Sequence, residues 1–208
     1  MRKFRYFFII FAQNITIMIS IENIIQDSIN VKKLILNDKE LVKRIHEAAK
    51  MCVESLKNGG KIHFCGNGGS AADAQHLAAE LSGRFYYDRP PLNAEALHVN
   101  TSYLTAVAND YTYDMIYARM LQASAKKGDA IVGISTSGNS ANILKAIEVA
   151  KEMGVKTIGM TGEKGGKMAE CCDILLNVPS TCTPRIQEAH IMIGHIICEI
   201  IETTIFPR

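Results

Sequence analysis

The chain has 208 residues, 48% of them hydrophobic, and no Pro-rich or low-complexity linker, so one globular domain with a substantial core is the expected organisation. Its 23 basic and 21 acidic side chains leave a net charge of +2 without long single-sign blocks, which argues against a surface that grips nucleic acid. The six cysteines lie mostly in apolar segments, with no CxxC and no regular spacing, and read as small buried thiols of a reducing, cytoplasmic compartment; a disulfide framework or zinc-thiolate cluster is disfavoured.

The opening stretch, "MRKFRYFFIIFAQNITIMIS", places basic residues before apolar ones as a secretory signal does, but Gln13 and Asn14 interrupt the run. It is also short of the ~20 apolar residues that a membrane span needs. Met18 opens "MISIENIIQDSI", a natural beginning for a first helix, so residues 1–20 read as an extension of doubtful role and 21–208 as the single domain. Apolar residues then recur at helical spacing through Ile21, Ile24, Ile25 and Ile29, and again through Leu41, Ile45, Ala48, Ala49 and Cys52. Asp38 lies between the two runs as a cap, and "NGG" at 58–60 ends the second.

Beyond Gly60 the pattern becomes short apolar runs alternating with amphipathic helices. "KIHFCG", "AEALHV", "DAIVGIS", "VKTIGMTG" and "DILLNV" are the strands; helices are expected from about Ser70, around 101–125, from about 140, in a short "GGKMAECC" and after Pro184. Five strands separated by helices imply an α/β fold with a parallel sheet covered on both faces. Ligands of such sheets bind beyond the carboxyl ends of the strands.

Two of the strand-to-helix loops there are chemically unusual. "GNGGS", Gly66 to Ser70, suits close approach of an anion or sugar oxygen to backbone N–H groups at a helix start; the plainer reading is a tight turn with Ser70 as N-cap. It matches neither a dinucleotide fingerprint nor a Walker loop. "ISTSGNSAN" offers Ser135, Thr136, Ser137 and Ser140 around Gly138 at the next such helix start, a set of neutral donors for a phosphate that brings its own charge. With no Lys or Arg in the loop, a phosphomonoester held for recognition is favoured over a phosphoryl group in transfer.

His76 and Glu80 stand at i and i+4, on one face of a helix, where they can share a metal or a substrate. The last helix, "PRIQEAHIMIGHIICEIIE", carries Gln187, Glu188, His190 and His195 in an apolar setting. At ~100° per residue His190 and His195 face about 140° apart, so a regular helix does not aim both into one site. Spacing slightly prefers Glu188 with His195 and chooses no further.

Taken together, "CGNGGSAADAQHLAAELSGRF", "AVANDYTYD", "GISTSGNSANILKAIEVA", "MTGEKGGKMAECCDILLNVPS" and "PRIQEAHIMIGHIICEIIE" closely resemble the phosphoheptose isomerases of the sugar isomerase (SIS) domain family, from about Ile21 to the C-terminus. The resemblance implies a three-layer SIS fold with additional N-terminal helices, and a homotetramer with active sites at subunit interfaces. It implies conversion of sedoheptulose 7-phosphate to D-glycero-D-manno-heptose 7-phosphate, the first step toward activated heptose for lipopolysaccharide or capsule. It assigns the phosphate to Ser135, Thr136, Ser137 and Ser140 with Ser70 close by, and the sugar to Asn67, Gly68, Gly69, Asn109 and Asp110. Glu80 and Gln187 also touch substrate by this resemblance, and His76, Glu80, Gln187 and His195 hold one zinc ion per subunit, leaving His190 to packing. Moving a carbonyl between C2 and C1 passes a proton through an enediol, a task that Glu80 at carbon and His195 at oxygen can divide.

Some relatives carry an acid where this chain has Pro184, so any contribution from that acid is absent or supplied elsewhere. A second class of relative, a non-enzymatic SIS tetramer that binds the bacterial replication initiator, shares several of the same blocks and a similar tail. It lacks the Glu and His that this chain has at positions 80 and 195, which favours the enzyme. Isomerases of pentose or hexose phosphates share the phosphate loop but not the paired "AQHLAAE" and "RIQEAHIMIGH" blocks.

Overall fold

The computed structural model describes residues 20–208; the readings of the opening 19 residues lie outside it. Two helices come first, α1 (Ile21–Asn37) and α2 (Lys39–Lys57). Asp38 separates them as expected, its carboxylate accepting from the Leu41 N–H at 2.9 Å at the start of α2. The remainder alternates: β1 (Ile62–Gly66), α3 (Gly69–Ser82), β2 (Ala94–Ala96), α4 (Thr101–Asp110), α5 (Ile116–Ser124), β3 (Ala130–Ile134), α6 (Ala141–Glu152), β4 (Lys156–Thr161), β5 (Ile174–Asn177) and α7 (Thr183–Ile205). Among the described residues no helix is long and apolar enough to cross a membrane.

All five strands are parallel, in the order β2-β1-β3-β4-β5. Side chains of a strand alternate between faces, and both faces here are covered. Ile62 and Phe64 of β1, with Val132 and Ile134 of β3, pack under α2, α3 and α7. Cys65 and Ile131, pointing the other way, pack under α5 and α6. This explains why the strands read as continuous apolar runs, and burying each such Ile or Phe contributes about 1.5–3 kcal/mol.

Three expectations need correction. "AEALHV" forms a strand only over Ala94–Ala96, because it is the edge strand and pairs with β1 alone. "GGKMAECC" is a 3-10 segment, Gly166–Glu170, entered through Gly165 and Gly166 at φ of 70° and 56°, which set no α-helical turn. Cys182 is exposed, whereas Cys52, Cys65 and Cys198 are buried and all six thiols are free.

The sheet order reverses between β1 and β3, the neighbours at its centre. Gly66 ends β1 beside Ile134, which ends β3, so the two unusual loops leave the sheet side by side at the switch point.

Candidate active site

α7 lies along α3 in the same direction, and two glycines permit the close approach. A Cβ on Gly194 would sit 2.6 Å from both methyls of Leu77, and one on Gly69 would sit 2.7 Å from the Gln187 amide nitrogen. With α7 this near, His195 reaches the His76–Glu80 pair. His76 Nε2 stands 3.1 Å from Glu80 Oε1 and 2.9 Å from His195 Nε2. The ligand atoms of all three residues lie within 4.8 Å of one another. Phe85 backs the His195 ring with centroids 5.6 Å apart. Two imidazole nitrogens and a carboxylate oxygen converging on one point are the donor set of a zinc site that keeps an open position, so these residues fit a metal ion.

The last helix resolves as its periodicity requires. His190 is fully buried and bonds the Thr161 carbonyl at 3.0 Å; since a carbonyl only accepts, Nε2 carries the proton. Burial pushes this imidazole down to about 4, so it packs as a neutral group. Glu188 is engaged by Arg185 at 2.6 Å and takes no part in the triad, from which two turns of helix separate it. Gln187 rests against Gly69, eight residues and ~12 Å of helix rise from His195. Pro184 fits the first turn of α7, where its missing N–H costs nothing.

Ser135, Thr136, Ser137 and Ser140 gather in one loop. Ser135 Oγ lies 2.9 Å from Ser140 Oγ and 3.4 Å from Ser137 Oγ. Ser140 occupies the N-cap of α6, yet its hydroxyl bonds no helix N–H, so the cap alone does not account for it. Gly138 sits at φ 66° with its absent Cβ only 2.0 Å from the Gly165 carbonyl oxygen, so no other residue fits the turn. The 162–168 segment backs the loop through Gly162 N–H to Thr136 O at 3.0 Å and Met168 N–H to Gly138 O at 3.1 Å.

In the neighbouring loop Gly68, not Ser70, is the N-cap of α3, at φ 57°; Ser70 is buried within the first turn. Ser70 is displaced from the cap because the helix starts two residues earlier than its hydroxyl suggests, with Ser70 N–H bonding Asn67 O at 3.0 Å. Gly68 and Gly69 are exposed. Asn109 and Asp110 close α4, exposed and bonded to each other at 2.9 Å. A 3-10 segment, Tyr113–Met115, follows them and carries Tyr113 back to Asn67 at 3.1 Å.

Sequence reading missed several residues. Asp73, one turn before His76, has a buried Oδ2 without a hydrogen-bond partner among the described residues; burial pushes its carboxyl up, and His76 and His195 pull it partly back. Its spacing in "DAQH" was the available signal. Arg89 gave none: its buried guanidinium pairs with Glu202 at 3.0 Å and donates to the carbonyls of Glu80, Leu81, Gly83 and Pro90. Glu202 in turn accepts from the N–H groups of Phe85 and Tyr86, at 3.0 and 2.8 Å. This clamp closes the α3 terminus that bears Glu80 and seats Phe85 on His195.

The SIS domain profile matches residues 30–162. The chain is 55% identical over 186 residues to the phosphoheptose isomerase of Aneurinibacillus thermoaerophilus, covering 89% of this chain and 94% of that one. It belongs to the phosphoheptose isomerases of the SIS domain family. Solved structures agree: that of Neisseria gonorrhoeae phosphoheptose isomerase is 44% identical with a TM-score of 0.82, and that of a Francisella tularensis phosphoheptose isomerase 40% identical with a TM-score of 0.84. Each alignment covers 88% of this chain and 96% of the other.

Proposed function

We propose that this protein is the aldose-ketose isomerase that converts sedoheptulose 7-phosphate to D-glycero-D-manno-heptose 7-phosphate. The observation that carries the reading is the convergence of His76, Glu80 and His195 beside a Ser/Thr loop at the sheet's switch point, in a chain of this family. The phosphate sits on Ser135, Thr136, Ser137 and Ser140, with Ser70 beneath, and Asn67, Gly68, Gly69, Asn109 and Asp110 hold the sugar.

Glu80 removes the proton from the carbon next to the carbonyl and returns it to the adjacent carbon. Its Oε1 faces His76 at 3.1 Å, which leaves the second carboxylate oxygen for substrate. His195 moves the proton between the two oxygens, its ring held by Phe85. His76, Glu80 and His195 would hold one zinc ion per subunit, which would supply Lewis-acid stabilisation of a developing oxyanion, while Gln187, at the Gly69 end of α7, lies toward the sugar.

A homotetramer with active sites between subunits completes the account. His76 is 49% exposed at its side chain, more open than proton transfer through an enediol favours. α1 exposes Ile21, Ile25, Ile29 and Leu36 along one face, and an apolar groove of about 380 Å³ runs between α1, α2 and α7. Isolated apolar side chains are ordinary at a surface, but a contiguous face of this kind calls for a partner. The free thiols and phosphorylated substrate suit the cytoplasm, where the product enters heptose biosynthesis for lipopolysaccharide or capsule.

The test is turnover of sedoheptulose 7-phosphate by metal-stripped protein before and after zinc is restored. Zinc-dependent formation of the aldose supports the proposal. No turnover by folded tetramer in either state would refute it and transfer the weight to an initiator-binding scaffold.

A further inference from the structure

Asn67 is not free to turn. Asn142, in the first turn of α6 and only 2% exposed, forms a reciprocal amide pair with it. Asn67 Nδ2 donates to Asn142 Oδ1 at 2.9 Å, and Asn142 Nδ2 donates to Asn67 Oδ1 at 2.8 Å. The Tyr113 hydroxyl donates to the same Asn67 oxygen at 3.1 Å.

A main-chain group fixes which end of each amide is which. The N–H of Ile143 points at Asn142 Oδ1, 3.0 Å away, and a main-chain N–H only donates, so that atom is oxygen. The Asn67 atom facing it is therefore nitrogen, and the Asn67 atom facing Asn142 Nδ2 and Tyr113 is oxygen. An amide oxygen accepts two hydrogen bonds and an amide nitrogen donates two. Both acceptor positions of Asn67 are filled and one of its donors is used. One N–H remains.

We propose that Asn142, assisted by Tyr113, is a positioning residue that holds Asn67 as a single hydrogen-bond donor toward the sugar. Asn67 then recognises an acceptor oxygen of the substrate, a carbonyl, hydroxyl or enediolate oxygen, and does not accept from a hydroxyl proton. The inference deepens the isomerase reading and rests on it for the identity of the ligand. Its consequence for the reaction is preorganisation: a donor already oriented before charge develops needs no rearrangement at the transition state. Because α6 starts in the phosphate loop, the turn that seats phosphate also orients the group that reads the sugar.

The discriminating experiment is a double-mutant cycle on binding, with Asn142→Ala and Asn67→Ala singly and together. Calorimetry measures two ligands: inorganic phosphate, and the non-isomerisable polyol 7-phosphate made by borohydride reduction of sedoheptulose 7-phosphate. Asn142→Ala is expected to weaken the polyol phosphate about tenfold and leave inorganic phosphate within about twofold. In the Asn67→Ala background it weakens nothing further. Equal losses in both backgrounds, or a parallel loss of inorganic phosphate, would overturn the inference in favour of a merely structural tie.

Tyr113→Phe alters a half-exposed side chain and guards against a misfolded Asn142 variant; it should weaken the polyol phosphate about threefold, again only when Asn67 is present. With the natural substrate, Asn142→Ala should lower kcat more than it raises KM. The two readings separate cleanly. A wild-type protein without turnover but with a non-additive cycle fails as isomerase and keeps the amide lock, whereas turnover with an additive cycle removes the lock alone.

Discussion

Replacing Arg89 by Met deletes the centre of the clamp while keeping much of the side chain's apolar volume. Arg89 is 2% exposed at its side chain and Glu202 is fully buried, so the substitution strands a carboxylate with no cation and leaves the carbonyls of Glu80, Leu81, Gly83 and Pro90 without this donor. Removing one partner of a buried pair costs about 3–5 kcal/mol, and at about 2–4 °C per kcal/mol for a domain of this size the melting temperature should fall by roughly 10 °C. The effect has a pH signature. In the native protein burial alone would push the Glu202 carboxyl up, but the N–H groups of Tyr86 and Phe85, together with Arg89, hold it below the usual range. It therefore contributes stability above the unfolded carboxylate pKa that is lost as pH falls. Without Arg89 burial dominates and Glu202 takes up a proton more readily, so the gap between variant and wild type should narrow between pH 7 and pH 5. Thermal melts across that range, with Glu202→Met and the double variant, provide the assay. The double should be more stable than Arg89→Met alone. A variant melting within about 2 °C of wild type, or a double whose loss equals the sum of the singles, would refute the clamp.

His190 should give an acid limb. Its native pKa of about 4 lies below the ordinary 6.5, so the unfolded chain binds the extra proton, and stability falls as pH drops from about 6.5 to 4, by up to about 3 kcal/mol. Denaturant titrations of wild type and His190→Gln should diverge in slope over that window; parallel curves would show that the imidazole is not held neutral. Gly138→Ala forces a Cβ to 2.0 Å from the Gly165 carbonyl oxygen and should raise KM for the sugar phosphate at least about tenfold, with inorganic phosphate binding lost in calorimetry. Unchanged phosphate affinity would move the phosphate elsewhere. Leu36→Glu, at a side chain 66% exposed in one chain, should spare the far-UV spectrum, shift the mass seen in light scattering below a tetramer and reduce kcat; an unaltered tetramer would place the interface on another face.

Much of the architecture was legible because it is local. Strands buried on both faces write themselves as apolar runs, Asp38 announces a helix start, and two polar loops at strand ends mark a switch point. Spacing also separated His190 from His195, and they do face apart: one bonds Thr161 deep in the core while the other meets His76. Choosing between them needed tertiary contact, since it is Gly194 against Leu77 that brings His195 rather than His190 to the pair on α3. The hidden residues act across long separations. Arg89 in "DRPP" reads as a solvent-facing loop and Glu202 as an outer helical charge, and only the fold makes them a buried pair 113 residues apart. Asn67 and Asn142, 75 residues apart, each look like a turn residue until the β1–β3 adjacency joins them.

The central claim is that Glu80 passes a proton between adjacent carbons of a sugar phosphate. Proton NMR of sedoheptulose 7-phosphate with the zinc-loaded protein in deuterated water tests it most directly, beside Glu80→Gln. The account predicts aldose product carrying deuterium at C2 with the wild type and no conversion by the folded variant, even though the variant still binds inorganic phosphate. Near-normal turnover by Glu80→Gln would contradict it.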